Sequence, residues 1–139
     1  MAGTATPIFP QTVKNYVAQI LNADASNVKT LVTGAANGSK IEAITVASTD
    51  TSARDVQLVI TISSVVYVLT TVSIPASSGS INSAPAIDIL RNAQWPGLSY
   101  DANGNKILYV ASGAVLGIKS LATVTSGKEI DCLAVGGDF

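Results

Sequence analysis

Between Arg54 and Ser63 apolar and polar side chains alternate. Val56, Leu58, Ile60 and Ile62 share one side of an extended chain, and Asp55, Gln57 and Thr61 share the other with the apolar Val59. Successive side chains of a strand point to opposite sides of its sheet, so this period of two specifies a strand with one buried face. A second strand-like run, Lys40–Ser48, precedes it across the polar turn Thr49-Asp50-Thr51-Ser52. A third, Val65–Ile74, follows the tight reversal Ser63-Ser64 and is rich in the β-branched residues that strands prefer. That run is apolar on both sides, with Val66, Val68 and Val72 on one and Val65, Tyr67 and Leu69 on the other. It either lies centrally between two layers or presents its outer face to a partner.

The rest of the chain repeats this grammar. Val28–Thr33 is a short strand, and Gly34–Gly38 is a turn with Asn37-Gly38 supplying positive φ. Pro75 ends the third run, and residues 76–85 read as a loop. Asp88–Asn92 reads as one helical turn or a short strand. Trp95-Pro96-Gly97 is a turn, and Asp101-Ala-Asn-Gly-Asn105 is the tip of a hairpin between Tyr100 and Lys106–Ala111. After a turn at Ser112-Gly113, Val115–Val124 reads as one strand. Ser126-Gly127 is a turn, and Lys128–Val135 is a last strand before a flexible lead, Gly136-Gly137-Asp138, into Phe139. Val13–Leu21 carries Val13, Tyr16, Val17, Ile20 and Leu21 at helical spacing. Pro10 and the turn that begins at Asn22 leave it short, and a strand would complete a sheet, so a strand is expected here.

Eight or nine short strands, punctuated by Gly/Asn/Ser turns at intervals of about 8–12 residues, predict an all-β fold: a single-domain β-sandwich or barrel, with a jelly roll as one eight-strand solution. Residues 1–12 read as an N-terminal arm and 13–139 as the β-sandwich domain. In the arm, Pro7 and Pro10 bracket Ile8 and Phe9, two large apolar side chains that need a surface to sit on. That surface is this domain's own edge or a neighbour in an assembly.

The chemistry-bearing residues are few. The chain has no histidine, which removes Ser–His–Asp and Cys–His catalytic arrangements and His-ligated zinc. Gly34 and Gly38 bracket a turn between strands, without the helix that would aim N–H dipoles at a phosphate. Asp50, Asp55, Asp88 and Asp101 have no spacing that singles out a glycosidase pair, and they read as turn-stabilising or solvated acids. Asp101, Asn103 and Asn105 resemble the start of a calcium loop, but the twelfth position is Ser112 where an EF-hand needs Glu. Cys132 alternates with Ile130 and Ala134 and reads as a small core residue; a lone cysteine forms no internal disulfide. No catalytic residue, metal or cofactor is expected.

Charge excludes one class of partner. Charged residues make up 12 % of the chain against roughly 25 % in an ordinary soluble domain, and 28 Ser and Thr supply the polarity instead. Eight scattered basic residues and a pI near 5.1 do not make a nucleic-acid footprint. No apolar run reaches the roughly 18 residues of a spanning helix, and the N-terminal residues lack a basic n-region and a continuous h-region. A neutral, hydroxyl-covered surface gives little repulsion between copies, which fits packing against a partner or against itself, and fits equally a secreted or surface β-domain with a neutral face.

The segments TLVTGAANGSKIEAI (30–44), STDTSARDVQL (48–58), IPASSG (74–79), PGLSYDANGNK (96–106) and GGDF (136–139) resemble small structural proteins of tailed bacteriophages. They are most similar to capsid decoration, or cement, proteins of β-sandwich or jelly-roll type. The resemblance implies a non-enzymatic virion protein on the outer surface of the head, assembled in the host cytoplasm. Its partner would be the major capsid protein, with neither nucleic acid nor membrane engaged, and it would form a homo-oligomer, dimer or trimer, on the shell. The expected contacts are Ile8, Phe9, Tyr67, Trp95, Asp138, Phe139 and an apolar sheet face. Two other readings stand beside it: a neck, tail or fibre component, and a glycan- or receptor-binding β-sandwich with Trp95, Tyr100 and the Asp101–Asn105 loop as its platform.

Overall fold

A computed structural model describes residues 9–91, 95 and 97–139. Ten strands follow in chain order: β1 (Thr12–Leu21), β2 (Lys29–Thr33), β3 (Ser39–Ser48), β4 (Arg54–Ile62), β5 (Val65–Ile74), β6 (Ile87–Asp88), β7 (Ser99–Tyr100), β8 (Lys106–Val110), β9 (Val115–Ser120) and β10 (Glu129–Asp138). They form two antiparallel sheets. Sheet A has the order β1-β10-β3-β8-β7, with β6 added against β3, and sheet B has the order β2-β9-β4-β5. Setting β6 and β7 aside, the chain crosses between the sheets at every connection but the β4–β5 hairpin, in the order of an eight-stranded jelly roll, so the all-β sandwich expected from the alternation is what forms.

The alternation does what it implied. Val56 and Leu58 on β4, Ile44 and Val46 on β3, Leu116 and Ile118 on β9, and Ile130, Cys132 and Ala134 on β10 all lie in one buried cluster between the sheets. Val59, the apolar exception on the far side of β4, is also buried, because Gly117 on β9 leaves a hollow that Val28 and Val59 fill. β1 is a strand along its whole length, paired with β10 from Thr12 to Leu21. Its helical spacing arose because both faces carry apolar residues: Tyr16, Ala18 and Ile20 meet the core, while Val13, Val17 and Leu21 face outward. Strand geometry begins at Thr12, and Gln11 N already donates to Asp138 O, so only Phe9 and Pro10 of the described residues precede the sheet. Asp88–Arg91 resolves into a strand end and a 3-10 turn at Ile89–Arg91, with Asp88 Oδ1 accepting from Ile44 N and Leu90 N; Asn92 lies outside the described residues.

Several expectations are corrected. β9 stops at Ser120 rather than continuing to Val124; Leu121 N donates to Asp55 O and Ser120 Oγ donates to Ala122 O, which turns the chain out of the sheet. β10 does not end at Val135. Gly136, Gly137 and Asp138 continue it between β1 and β3, so they are no flexible lead. The glycines permit this: a Cβ at Gly136 would overlap the Lys40 carbonyl, and one at Gly137 would press on the Thr12 carbonyl and Pro10. A bulge between Val135 and Gly136 keeps the core-facing register across the crowded region. Of the two placements open to Val65–Ile74, β5 takes the edge of sheet B, with Val66 and Val68 exposed on its outer side.

The loop 75–86 is more than a plain connection. Ser48 N donates to Ser78 O, Ser80 Oγ donates to Ser48 O, and Gly79 at φ +77° sits against Ala47 and Ala86. The main correction concerns Asp50, which is not a solvated turn acid: its side chain is 0 % exposed. Arg54 Nε donates to Oδ2 at 2.8 Å, Thr125 N to Oδ2 at 3.0 Å, Thr125 Oγ1 to Oδ1 at 2.9 Å and Ser52 N to Oδ1 at 3.0 Å. Burial alone would push this carboxyl up, but those four donors outweigh it and hold it well below the usual carboxylate range.

A lowered native pKa gives stability that is fully present above the unfolded carboxylate value of about 4 and is lost as pH falls from there toward the native value. Asp50→Asn at neutral pH is expected to cost about 3 kcal/mol, since it leaves Arg54 without its counter-charge. In urea titrations at successive pH values, the gap between wild type and variant should narrow below about pH 4.

Candidate functional site

The outward side chains of sheet A form a face that the fold leaves uncovered. β1 contributes Val13, Asn15, Val17 and Gln19; β10 contributes Asp131, Leu133 and Val135; β3 contributes Ala43, Thr45 and Ala47. Register sets them in rows: Val17 beside Leu133 beside Thr45, and Asn15 beside Val135 beside Ala43. Val13 is 90 % exposed and Val17 70 %. Large apolar side chains on β1 and β10 stand above small ones on β3. The step between them makes an open groove of about 530 Å³, lined by Val17, Gln19, Thr45, Ala47, Asp131 and Leu133 among others. At the groove's end Gln19 Nε2 donates to both Glu129 and Asp131 at 2.8 Å, so one neutral amide holds the two acids together.

A second open cavity, about 740 Å³, lies at the opposite end of the sheet, lined by Gln11, Asn37, Tyr109 and Phe139. The Tyr109 and Phe139 rings stack at 6.2 Å between centroids with 29° between planes. Phe139 N donates to Gly38 O, which ties this residue to the turn before β3. Lys40, paired with Glu42 at 3.6 Å, lies beside Tyr109 in the β3–β8 register. The sheet therefore offers an apolar band with an aromatic pair at one end and an amide-bridged acidic pair at the other.

Of the residues expected to make contacts, Phe9, Asp138 and Phe139 gather at one end of sheet A. Phe9 is exposed. The Asp138 carboxylate is engaged by its own chain: Tyr16 Oη donates to Oδ1 at 2.5 Å, Ser39 Oγ donates at 2.6 Å, and Lys14 Nζ lies 3.8 Å from Oδ2. The bonds from Ser39 and Tyr16 hold the Asp138 carboxyl below its usual range, while burial and Asp138 together raise the Tyr16 hydroxyl. Tyr67 stands apart on sheet B, near the tip of the β4–β5 hairpin. Trp95 packs partly buried against the core, and its carbonyl accepts from Lys106 Nζ at 3.1 Å. Ile8 lies outside the described residues. The exposed Tyr109, Val17 and Leu133 were not among the expected site residues; the outward positions of β1, β8 and β10 can be told from core positions only once the sheet order is known.

The Asp101–Asn105 loop is closed on itself. Asp101 Oδ1 accepts from Asn103 N and Asn105 N at 2.9 Å each, and these backbone donors lower its pKa. Among the described residues no three His, Cys, Asp or Glu side chains converge as a metal site, and no helix is long and apolar enough to cross a membrane. Comparison of the chain with protein-family models, curated proteins and solved structures finds no match.

Cys132 faces the core directly beneath this surface, and burial pushes its thiol up to about 12. Because the thiolate is the reactive form, iodoacetamide should label the native protein about a thousandfold more slowly than the urea-unfolded chain at the same pH. Mass spectrometry of the alkylated peptide measures this.

Proposed function

We propose that this chain is a structural binding module, a decoration protein that attaches to the outer surface of a tailed-bacteriophage head and bridges neighbouring copies of the major capsid protein. The observation that carries the reading is the outer face of sheet A. It is a broad band of Val17, Leu133, Val135, Ala43 and Thr45 with a stacked aromatic pair at one end, on a domain whose buried acids serve its own folding. A patch of this kind on a sparsely charged protein favours a protein surface as ligand over a small polar substrate. The jelly-roll strand order is one that viral capsid domains use, and the segments 30–44, 48–58 and 96–106 resemble those of phage virion proteins.

The mechanism is mass action. A module that binds the assembled shell, and not its separated subunits, stabilises the shell by its own binding free energy at every junction it occupies. Apolar contact from the valines and Leu133 supplies the attraction, at about 25 cal/mol for each Å² of apolar area removed from water. The Tyr109–Phe139 pair is the natural anchor, since aromatic side chains dominate protein interfaces energetically.

Co-sedimentation with purified heads lacking the chain tests the proposal. Wild type is expected to saturate at a fixed ratio to capsid subunits and to raise the temperature at which the heads open. The Val17→Asp/Leu133→Glu double variant is expected to bind at least tenfold more weakly with an unchanged melting temperature of its own. Saturation at a single ring of copies would place the protein at the neck or tail, and absence of co-sedimentation would overturn the proposal.

A further inference from the structure

We propose that the protein forms a two-fold homodimer by antiparallel pairing of β5 with β5 of a second copy. The four sheet edges differ in how they are guarded. β1 carries Lys14; β2 is five residues long, interrupted by a bulge and carries Lys29; β7 is two residues long. β5 has ten residues, VVYVLTTVSI, with one bulge at Leu69 but no charge and no proline, and among the described residues nothing hydrogen-bonds to its outer edge. An uncharged edge of that length is a template for another strand, and edges that must stay single are blunted by lysine, proline, bulges or shortness.

The hairpin that ends in this strand adds side chains to the edge. Ser63 and Ser64 both hold positive φ, 51° and 65°, so a tight two-residue turn joins β4 and β5. Toward its tip the hairpin is apolar on both sides. Ile62, Val65 and Tyr67 lie on the side facing sheet A, Val66 and Val68 on the outer side, and all are about half exposed. Half of an aromatic side chain's roughly 150–250 Å², with a similar share of four branched aliphatics, comes to on the order of 400 Å² per copy. Strand pairing along the edge adds its backbone, which reaches the about 1,000 Å² total of a small specific interface.

A second copy is the occupant that fits both features. A two-fold axis near the middle of β5 pairs the strand with itself in antiparallel register, so each residue meets its counterpart twice. Such an axis sets Val65 and Tyr67 of one copy beside Ile74 and Val72 of the other on the same face, and no like charges meet. Leu69, the extra residue of a bulge opposite Leu58 and Val59, falls at the axis and leaves Val65–Val68 and Thr70–Ile74 as regular segments on either side. The pairing does not depend on what the outer face of sheet A binds.

Sedimentation equilibrium of the full chain from micromolar to millimolar concentration is the test. A monomer–dimer equilibrium is expected, with amide exchange at residues 65–74 slowing as concentration rises. Thr71→Lys/Ser73→Lys places charges at exposed outward positions on the edge without touching the core. It is expected to weaken the dimer at least tenfold, about 1.4 kcal/mol, with an unchanged circular dichroism spectrum. Tyr67→Ser, which removes apolar area and keeps the edge, should weaken it less. A wild type that stays monomeric, an oligomer above the dimer, or a double-lysine variant that dimerises as tightly as wild type would each overturn the proposal.

Discussion

The carboxylate of Asp50 is where the two sheets are held at a fixed distance. It sits in the corner by which the chain leaves β3 in sheet A and enters β4 in sheet B, and it binds Arg54 at the start of β4. Thr125, in the segment between β9 and β10, meets it through both backbone N–H and hydroxyl. The Asp50 carbonyl accepts from Ser77 N in the loop after β5. Three crossings between the layers therefore meet at one buried anion. Apolar packing between sheets is non-directional and sets no particular crossing point. A buried charge with four donors does, because every other arrangement leaves it unpaired in a dry interior.

Much of the fold was legible in the sequence because half-buried strands write their burial into side-chain order. β3, β4 and β5 were readable to within about one residue, as were the turns at Gly34–Gly38, Ser63-Ser64 and Asp101–Asn105. What escaped notice depended on neighbours distant in sequence. Gly136 and Gly137 look like a flexible tail until Lys40 and Thr12 are seen to crowd the positions where their Cβ atoms would be. Asp50 reads as a turn residue like Asp101, and only the approach of Thr125 from 75 residues away makes one a buried hub while the other stays at the surface. The outer face of sheet A was unreadable for a related reason. An apolar residue on an alternating strand does not declare which side is the core, and β1, with apolar residues on both, satisfied a helical template as well as a strand.

The two surfaces assigned to partners differ in physical kind. The outer face of sheet A is a shallow groove with its own backbone hydrogen bonds already made, so only side chains are available to a ligand. The β5 edge offers backbone groups with side chains above and below them. A partner on the first is selected by shape and hydrophobicity, and a partner on the second by being extended. Since one surface lies on each sheet, occupying either leaves the other accessible.

The placement of β10 has a consequence for the order in which the molecule can be made. β1 and β3 are never neighbours; both pair along nearly their full length with a strand drawn from residues 129–138. At about 5–20 residues per second of synthesis, β1 waits several seconds for the one strand that pairs with it among the described residues. During that interval sheet A has no centre, and Tyr16, Ala18 and Ile20, which meet the core in the finished fold, have no sheet to pack in. Sheet A thus gains its centre only once residues 129–138 are available. A ribosome-bound chain arrested before residue 129 should be a ready substrate for a holding chaperone.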